Sequence, residues 1–421
     1  MAASDRTTAI VAGGGPAGMV LGLLLARAGV EATVLEKHAG FLRDFRGDTV
    51  QPTTLDLLDQ LGLMEEFRRI PQGRLQRMAI SEDLVIGDLR ELDLRHPYVA
   101  IAPQWDFLNL LAHTAAAYPT FHLRMQSQAI GLLRDDSGRV TGVRYRDAGG
   151  REQELHGDVV FGTDGRHSTI RPAAGLRTES FGAPFDVLWF RLPKSDAEKD
   201  ELYFRVAPYR WVVGFDRRTY IQMAYIIRKG AHEQVQAEGT DRFRTHLAQV
   251  VPEVADRVGA LRSFDDIKFL EVQVNRAPRW HQPGLLLIGD AAHAMSPIGG
   301  VGVNYAIQDA VAAANLLADH LLRAQRSGTP VPEEALHRVQ RRRMLPTVVI
   351  QTLQRIMQAR LIEPALRGHV SAVPRVARVL QRVGPLRRLF VRTLIVGVRP
   401  ERIETPLVYP TPRAQPRRRA G

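Results

Sequence analysis

Gly289-Asp290-Ala291-Ala292-His293-Ala294-Met295-Ser296-Pro297-Ile298-Gly299-Gly300-Val301-Gly302-Val303-Asn304 follows the apolar run Leu285-Leu286-Leu287-Ile288 and leads into a helical pattern over 305–322. This order describes a buried strand that stops at Gly289-Asp290, turns through a glycine-rich loop and enters a helix. Asp290 then sits at the carboxyl end of a strand, where open α/β sheets place their ligands. Gly299, Gly300 and Gly302 carry no side chains, so backbone N–H groups can approach a flat ligand closely. The helix that follows points its positive end at the same place. Taken alone, the stretch also reads as a plain strand-to-helix turn.

Two other strand ends repeat the arrangement. Thr7-Thr8-Ala9-Ile10-Val11-Ala12 is a short buried strand that ends at Gly13-Gly14-Gly15-Pro16-Ala17-Gly18. Gly13, Gly15 and Gly18 give the G-x-G-x-x-G spacing: a tight turn, room for a pyrophosphate, and close helix–strand packing. A helix over 19–28 and a strand over 30–35 follow, closed by Glu36, whose carboxylate can accept ribose hydroxyls. Ala17 and Lys37 are neighbours of the same ligand. The fingerprint predicts a dinucleotide without saying which, and a solvated charge is the competing reading of Glu36. Further on, Asp158–Gly162 is a buried strand that ends at Thr163-Asp164-Gly165-Arg166-His167-Ser168-Thr169-Ile170-Arg171. Ser168 there suits a helix cap.

Three such motifs in this order resemble the class A flavoprotein monooxygenases, the p-hydroxybenzoate hydroxylase fold. The resemblance spans about 7–322 and is most specific in the 289–304 stretch. It implies an α/β fold: a Rossmann-like FAD-binding domain (1–74, 98–180 and 275–330) interleaved with a mixed or antiparallel substrate-binding sheet (75–97 and 181–274), then a basic helical region (331–421) with a disordered tail. It implies bound FAD, NADH or NADPH as a transient reductant, and hydroxylation through a flavin C4a-hydroperoxide. Asp164 and Asp290 would serve FAD, with Gly289 beside the latter. Pro297, Gly299 and Gly300 would lie near flavin C4a, with Gly302, Val303 and Asn304 continuing the contact. Arg46, or alternatively Arg43, and Gln104 would also reach the cofactor; a surface cation and a helix-start residue are the plain readings. His293 reads as lying behind the loop, with packed, solvated and catalytic roles all open. Arg171 matches the pattern's arginine, and Val301 stands where glutamine is frequent.

Between 185 and 270, segments rich in aromatic and apolar residues read as antiparallel strands, with a helical stretch over 232–260 broken at Pro252. The resemblance makes this sheet the floor of a substrate cavity. Trp189, Trp211, Gln222, Met223 and Tyr225 are the lining candidates, against a core role for each. The stretch 75–94 reads as strands joined by turns and is expected in the same second sheet.

Composition sets limits. The 421 residues exceed the usual single core, so two or three lobes are expected. With no cysteine there is no disulfide, thiolate nucleophile or cysteine-ligated metal, and no metal site is expected. No signal peptide or long apolar run is visible, so a cytoplasmic protein is expected. The net charge of +12 is uneven: 336–421 holds 19 Arg, no Lys and three acids, leaving the preceding part slightly acidic. Nucleic-acid binding is therefore not expected of the body, nor of the tail, whose terminal Arg417-Arg418-Arg419 has no interleaved aromatics. Pro346, Pro364, Pro374 and Pro385 are expected to divide the region into short helices. Val376, Val379, Leu380, Val383, Leu386, Leu389, Phe390, Leu394 and Ile395 recur at helical spacing among arginines. Packing on the body is the plain reading of this element; peripheral contact with an anionic membrane is the sharper one.

The expected substrate is an aromatic or polycyclic, lipophilic small molecule of the polyketide or quinone kind, as in secondary metabolism, with O2 as co-substrate. Rival readings are a flavin-dependent reductase of prenyl-chain double bonds and a non-catalytic flavin-binding sensor at a membrane. A halogenase is disfavoured, because no lysine lies between Lys37 and Lys194 and no two tryptophans are close. No catalytic base is evident.

Overall fold

The computed structural model describes residues 5–42, 49–81, 84–194, 203–217, 220–369, 378 and 382–410. Arg43, Arg46, Val376, Val379, Leu380 and the 411–421 tail lie outside them.

Ala9–Ala12, Ala32–Leu35, Val159–Gly162 and Leu285–Leu287 are buried at every residue. Such uninterrupted apolar strands belong to a parallel sheet covered on both faces. The spatial order is His281–Gln282, Leu285–Leu287, Val159–Gly162, Ala9–Ala12, Ala32–Leu35, Phe121–Arg124. All neighbours are parallel except the first pair, a short antiparallel hairpin. Ala12 pairs with Gly162, and Gly162 with Leu287. The three motifs therefore leave the sheet side by side, on one row.

Helix Pro16–Arg27 buries ten of its twelve residues. It is apolar nearly all round because it lies between the sheet and the helices Gln104–Ala115 and Gly302–Ser327. Burying each of its fully enclosed leucines (Leu21, Leu23, Leu24, Leu25) contributes roughly 1.5–3 kcal/mol.

A second sheet is antiparallel throughout: Tyr203–Ala207, Arg210–Asp216, Tyr220–Arg228, Phe185–Pro193, Lys268–Leu270. Side chains alternate between its faces. Leu188, Phe190, Met223 and Tyr225 form one face and pack with Phe243 and Leu247 of helix Thr240–Val250. Val187, Trp211, Ala224 and Ile226 form the other, which meets Ile298, Ile362 and Leu366.

The 75–94 stretch does not join this sheet. Among the described residues Arg77–Ser81 pairs only with Leu84–Asp88, and Gly73–Leu75 pairs with Val99–Ile101. A Cβ at Gly87 would overlap Val391, so the C-terminal helix Gly384–Ile395 closes over this hairpin instead.

Pro346 does not end a helix. Glu333–Met357 is continuous through it, although an interior proline removes a backbone bond and costs about 3 kcal/mol. Packing overrides that cost: Val339, Arg343, Thr347, Ile350 and Gln354 recur at helical spacing and are all buried. Thr347 Oγ1 donates to the Arg343 carbonyl at 2.9 Å beside the lost bond.

Helix Gly384–Ile395 buries Val391, Leu394 and Ile395 on the body and leaves Leu386 and Leu389 exposed. The segment beyond it crosses the first lobe as a strap. The backbone amides of Val408 and Tyr409 donate to the Arg27 carbonyl, at 3.2 and 3.1 Å. Among the described residues no helix is long and apolar enough to cross a membrane.

Candidate cofactor site

The first glycine loop is held by backbone packing. Gly13 has φ +121°, and a Cβ there would lie 2.5 Å from the Thr163 carbonyl oxygen. Thr163 Oγ1 donates to the carbonyls of Gly13 (2.8 Å) and Ala12 (3.0 Å). A Cβ at Gly18 would overlap the Gly13 carbonyl, whereas one at Gly15 would meet nothing within 4 Å. The loop is thus closed behind and open at Gly15. There helix Pro16–Arg27 begins without a side-chain cap and without an acid in its first turn. Its free N–H groups and positive end suit a diphosphate. Glu36 is buried, its Oε2 accepting from Gly14 N (3.0 Å) and its Oε1 from His38 N (2.9 Å). Lys37 is exposed, and Ala17 lies buried against Gly289.

The second motif braces the third. Asp164 Oδ2 accepts from the amides of Thr169 (2.7 Å) and Ile170 (3.0 Å), and its Oδ1 from Ser168 Oγ (2.6 Å). Ser168 Oγ in turn accepts from Arg171 N at 2.9 Å, as a cap does. The Asp164 carboxylate is therefore used locally. Arg171 donates to the Ala291 carbonyl (2.9 Å), and Arg166 to Asp290 Oδ2 (3.2 Å). Burial lowers the Arg171 pKa, with Asp164 opposing.

The second glycine loop is held by side chains from remote segments. Thr49 Oγ1 donates to the Gly300 carbonyl (2.6 Å) and Gln51 Nε2 to that of Gly299 (3.0 Å). Gln354 Nε2 donates to the carbonyls of Ser296 and Ile298, both at 2.9 Å. Asn304 Oδ1 accepts from Gln51 N (2.9 Å) and Thr54 Oγ1 (2.7 Å), and its Nδ2 donates to the Thr49 carbonyl (3.3 Å). The Asn304 side chain is thus an internal brace. Gly300 N closes onto the Pro297 carbonyl at 3.0 Å. Helix Gly302–Ser327 then starts, again without a side-chain cap or first-turn acid. A Cβ at Gly302 would meet only Met295, at 3.9 Å. Val303 and Gln104, the first residue of helix Gln104–Ala115, are half-buried. Two uncapped helix starts, an open glycine and an acid at the second strand end fit a dinucleotide with a diphosphate and a flat ring.

Sequence reasoning missed a buried charge network beneath this loop. Asp309 is wholly buried; its Oδ2 lies 2.6 Å from His293 Nε2 and accepts from Gly289 N at 3.1 Å. Arg343 Nε donates to Asp309 Oδ1 (2.9 Å), and its Nη1 to Glu401 Oε1 (3.2 Å). Burial alone would raise the Asp309 pKa, but His293 and Arg343 together hold it below the ordinary 3.8. A charged residue on the apolar face of a predicted helix was the available signal.

The five lining candidates divide by sheet face. Trp189, Trp211 and Gln222 share the face that meets Ile298 of the glycine loop; Met223 and Tyr225 are buried on the other, away from it. Burial also pushes the Tyr225 pKa up to about 12, so it cannot act as a base near neutrality. Gln222 is fully buried with Oε1 lacking a partner. Arg191, which sequence reasoning passed over, lies directly opposite Gln222 on the same face. Its guanidinium stands 5.6 Å from the Trp105 ring and 4.5 Å from that of Tyr220. A cation at an inward-facing strand position was the signal.

A family model described as "FAD binding domain" matches residues 6–340. The chain belongs to this FAD-binding family. It is 33% identical over 409 residues to the 6-methylpretetramide 4-monooxygenase of Streptomyces rimosus, covering 96% of this chain and 95% of that one. In structure it resembles the OxyS anhydrotetracycline hydroxylase from Streptomyces rimosus (TM-score 0.72, 24% identity, 94% of this chain and 77% of that). It also resembles P. aeruginosa PqsL in complex with 2-aminobenzoylacetate (TM-score 0.72, 21% identity, 87% and 99%). At those identities the structural likeness speaks for the fold. The flavoprotein is an FAD-dependent monooxygenase of the class A kind, and the loops described above fit FAD.

Proposed function

We propose that this monooxygenase uses NADH or NADPH to hydroxylate a flat polycyclic aromatic compound of the polyketide kind. Substrate C–H, O2, NAD(P)H and a proton would give substrate C–OH, NAD(P)+ and water. The observation that carries the reading is the packing of Ile298, in the glycine loop, against the sheet face of Trp189, Trp211 and Gln222. The near full-length similarity to a 6-methylpretetramide 4-monooxygenase supports the substrate class.

FAD, when bound, supplies the redox chemistry with O2. In this reading Gly13, Gly15, Ala17 and Gly18 receive the diphosphate, and Glu36 orients a ribose. Asp290 with Gly289 receives the polyol linking diphosphate to ring. Pro297, Gly299, Gly300, Gly302 and Val303 place backbone against the ring. The uncapped start of helix Gly302–Ser327 stabilises negative charge there. Trp189 and Trp211 would exclude water from the ring, while Gln222 and Arg191 would offer polar contacts to a phenol or enol. Gln104 reaches the cofactor from its helix start.

The test is oxidation of NADH and NADPH by the purified yellow protein with a panel of polycyclic phenols under 18O2. One labelled oxygen in the product supports the proposal. A reduced product without label replaces it with the reductase reading.

The exposed Leu386 and Leu389, beside exposed Arg388 and Arg392, favour peripheral contact with an anionic bilayer as an addition. Flotation that is the same with neutral and anionic vesicles removes it.

A further inference from the structure

The buried network ends on Glu401, a residue remote in sequence from the cofactor loops. Gly289, whose amide donates to Asp309, has φ +60°, and a Cβ there would lie 3.0 Å from Ala306 Cβ and 3.5 Å from Ala17 Cβ. The strand end thus touches the first turns of both cofactor-facing helices. Asp309 fixes it from beneath and is itself fixed by Arg343. Arg343 is enclosed, and its Nη1 is shared between Glu401 Oε1 (3.2 Å) and the Arg399 carbonyl (3.3 Å). Glu401 also accepts from Arg342 Nε at 2.9 Å, and its own amide donates to Gln308.

We infer that Glu401 is a positioning residue for FAD: through Arg343 and Asp309 it holds the Gly289 strand end, and cofactor binding is coupled to docking of the 397–405 strap. The physical ground is the enclosure. A buried ion chain tolerates loss of a member poorly, because the next charge is left unpaired away from water. When the strap lifts, Arg343 loses its outer partner and must hydrate or turn away, and Asp309 is then free to shift the Gly289 amide. A second contact runs the same way, since a Cβ at Gly299 would lie 2.8 Å from Leu394 Cδ1. Coupling of this kind is reciprocal: whatever the strap adds to FAD affinity, FAD adds to strap docking.

The inference rests on FAD occupying that strand end, so the test begins with the full-length chain stripped of flavin and titrated with FAD. Amide hydrogen exchange over 397–405 is then measured with and without FAD. Exchange is expected to slow about tenfold on binding, and Glu401→Gln to weaken FAD affinity by about tenfold. Glu401→Gln does not touch Gly289, so a merely structural role lowers its melting temperature while leaving FAD affinity within twofold. That result overturns the inference. So does wild-type exchange over 397–405 that FAD leaves unchanged, a measurement that needs no variant to fold. A wild-type chain that binds no FAD rejects the cofactor assignment itself.

Discussion

The two glycine loops do the same work in opposite ways. Gly13–Gly18 is held mainly by close backbone packing, Gly13 against Thr163 and Gly18 against Gly13, with Thr163 Oγ1 and the Glu36 carboxylate fixing Gly13 and Gly14. The 297–302 loop is held by side chains from Thr49, Gln51, Asn304, Gln354 and Leu394, gathered from most of the chain's length. The first is rigid by backbone sterics, its own and those of the adjacent strand end at Thr163. The second is only as rigid as its distant braces, which suits the loop beside the reacting ring, because its position can be adjusted by residues that never touch the ligand.

The largest expected effect breaks the first loop. Gly18→Val drives its side chain into the Gly13 carbonyl, and overpacking of this kind costs roughly 1–3 kcal/mol or more. Purified protein should be colourless and its melting temperature sharply lower; a yellow, stable variant refutes rigidity by backbone sterics. Asn304→Ala tests the second loop. Leaving Gln51 N and Thr54 Oγ1 without their acceptor costs about 1–3 kcal/mol, and the fluorescence of bound flavin should change as the loop loosens. Unchanged stability and unchanged flavin fluorescence would deny the brace.

Gly15→Ala sharpens the contrast, because fold and ligand then respond differently. Its Cβ meets no protein atom within 4 Å, so apo stability should stay within about 0.5 kcal/mol. FAD affinity, measured by titration, should nevertheless fall at least several-fold. Equal affinity would show that the diphosphate lies elsewhere.

The smallest effect is a pH dependence. The Asp309 pKa lies below its unfolded value of 3.8, so its stabilising contribution is complete above that value. It is lost as pH falls through the lower folded value. The stability gap between wild type and Asp309→Asn, followed by chemical denaturation, should therefore close below pH 3.8. A gap independent of pH would place the charge elsewhere.

The same contrast explains what the sequence disclosed. The three strand-end motifs were legible because each is local: an apolar run, a glycine turn, a helix. The family resemblance then supplied FAD. The 185–228 strands were also legible as antiparallel, but residue type alone does not give the parity that sorts their two faces. That is why Met223 and Tyr225 fall on the far face while Arg191 was passed over. Asp164 and Asn304 read as ligand residues because polar groups at strand and helix ends usually are; that their side chains also brace local amides and a neighbouring segment could not be read from the sequence. The Asp309–Arg343–Glu401 chain could not be read, since no local pattern joins residues so far apart. Pro346 misled for the converse reason: its local signal is strong, and tertiary packing is stronger.

The strap also bears on how the protein is made. Val408 and Tyr409 close on Arg27, at the end of a helix that is apolar nearly all round. At bacterial or eukaryotic elongation rates, roughly 20–80 s of synthesis separate that helix from the strap that closes on its end. Helix Gly302–Ser327, which covers the same leucine helix, also emerges late, so the nascent first lobe lacks part of its cover until then. Chaperone demand, and the yield of soluble protein at a given growth temperature, should follow from helix Gly302–Ser327 as much as from the first helix.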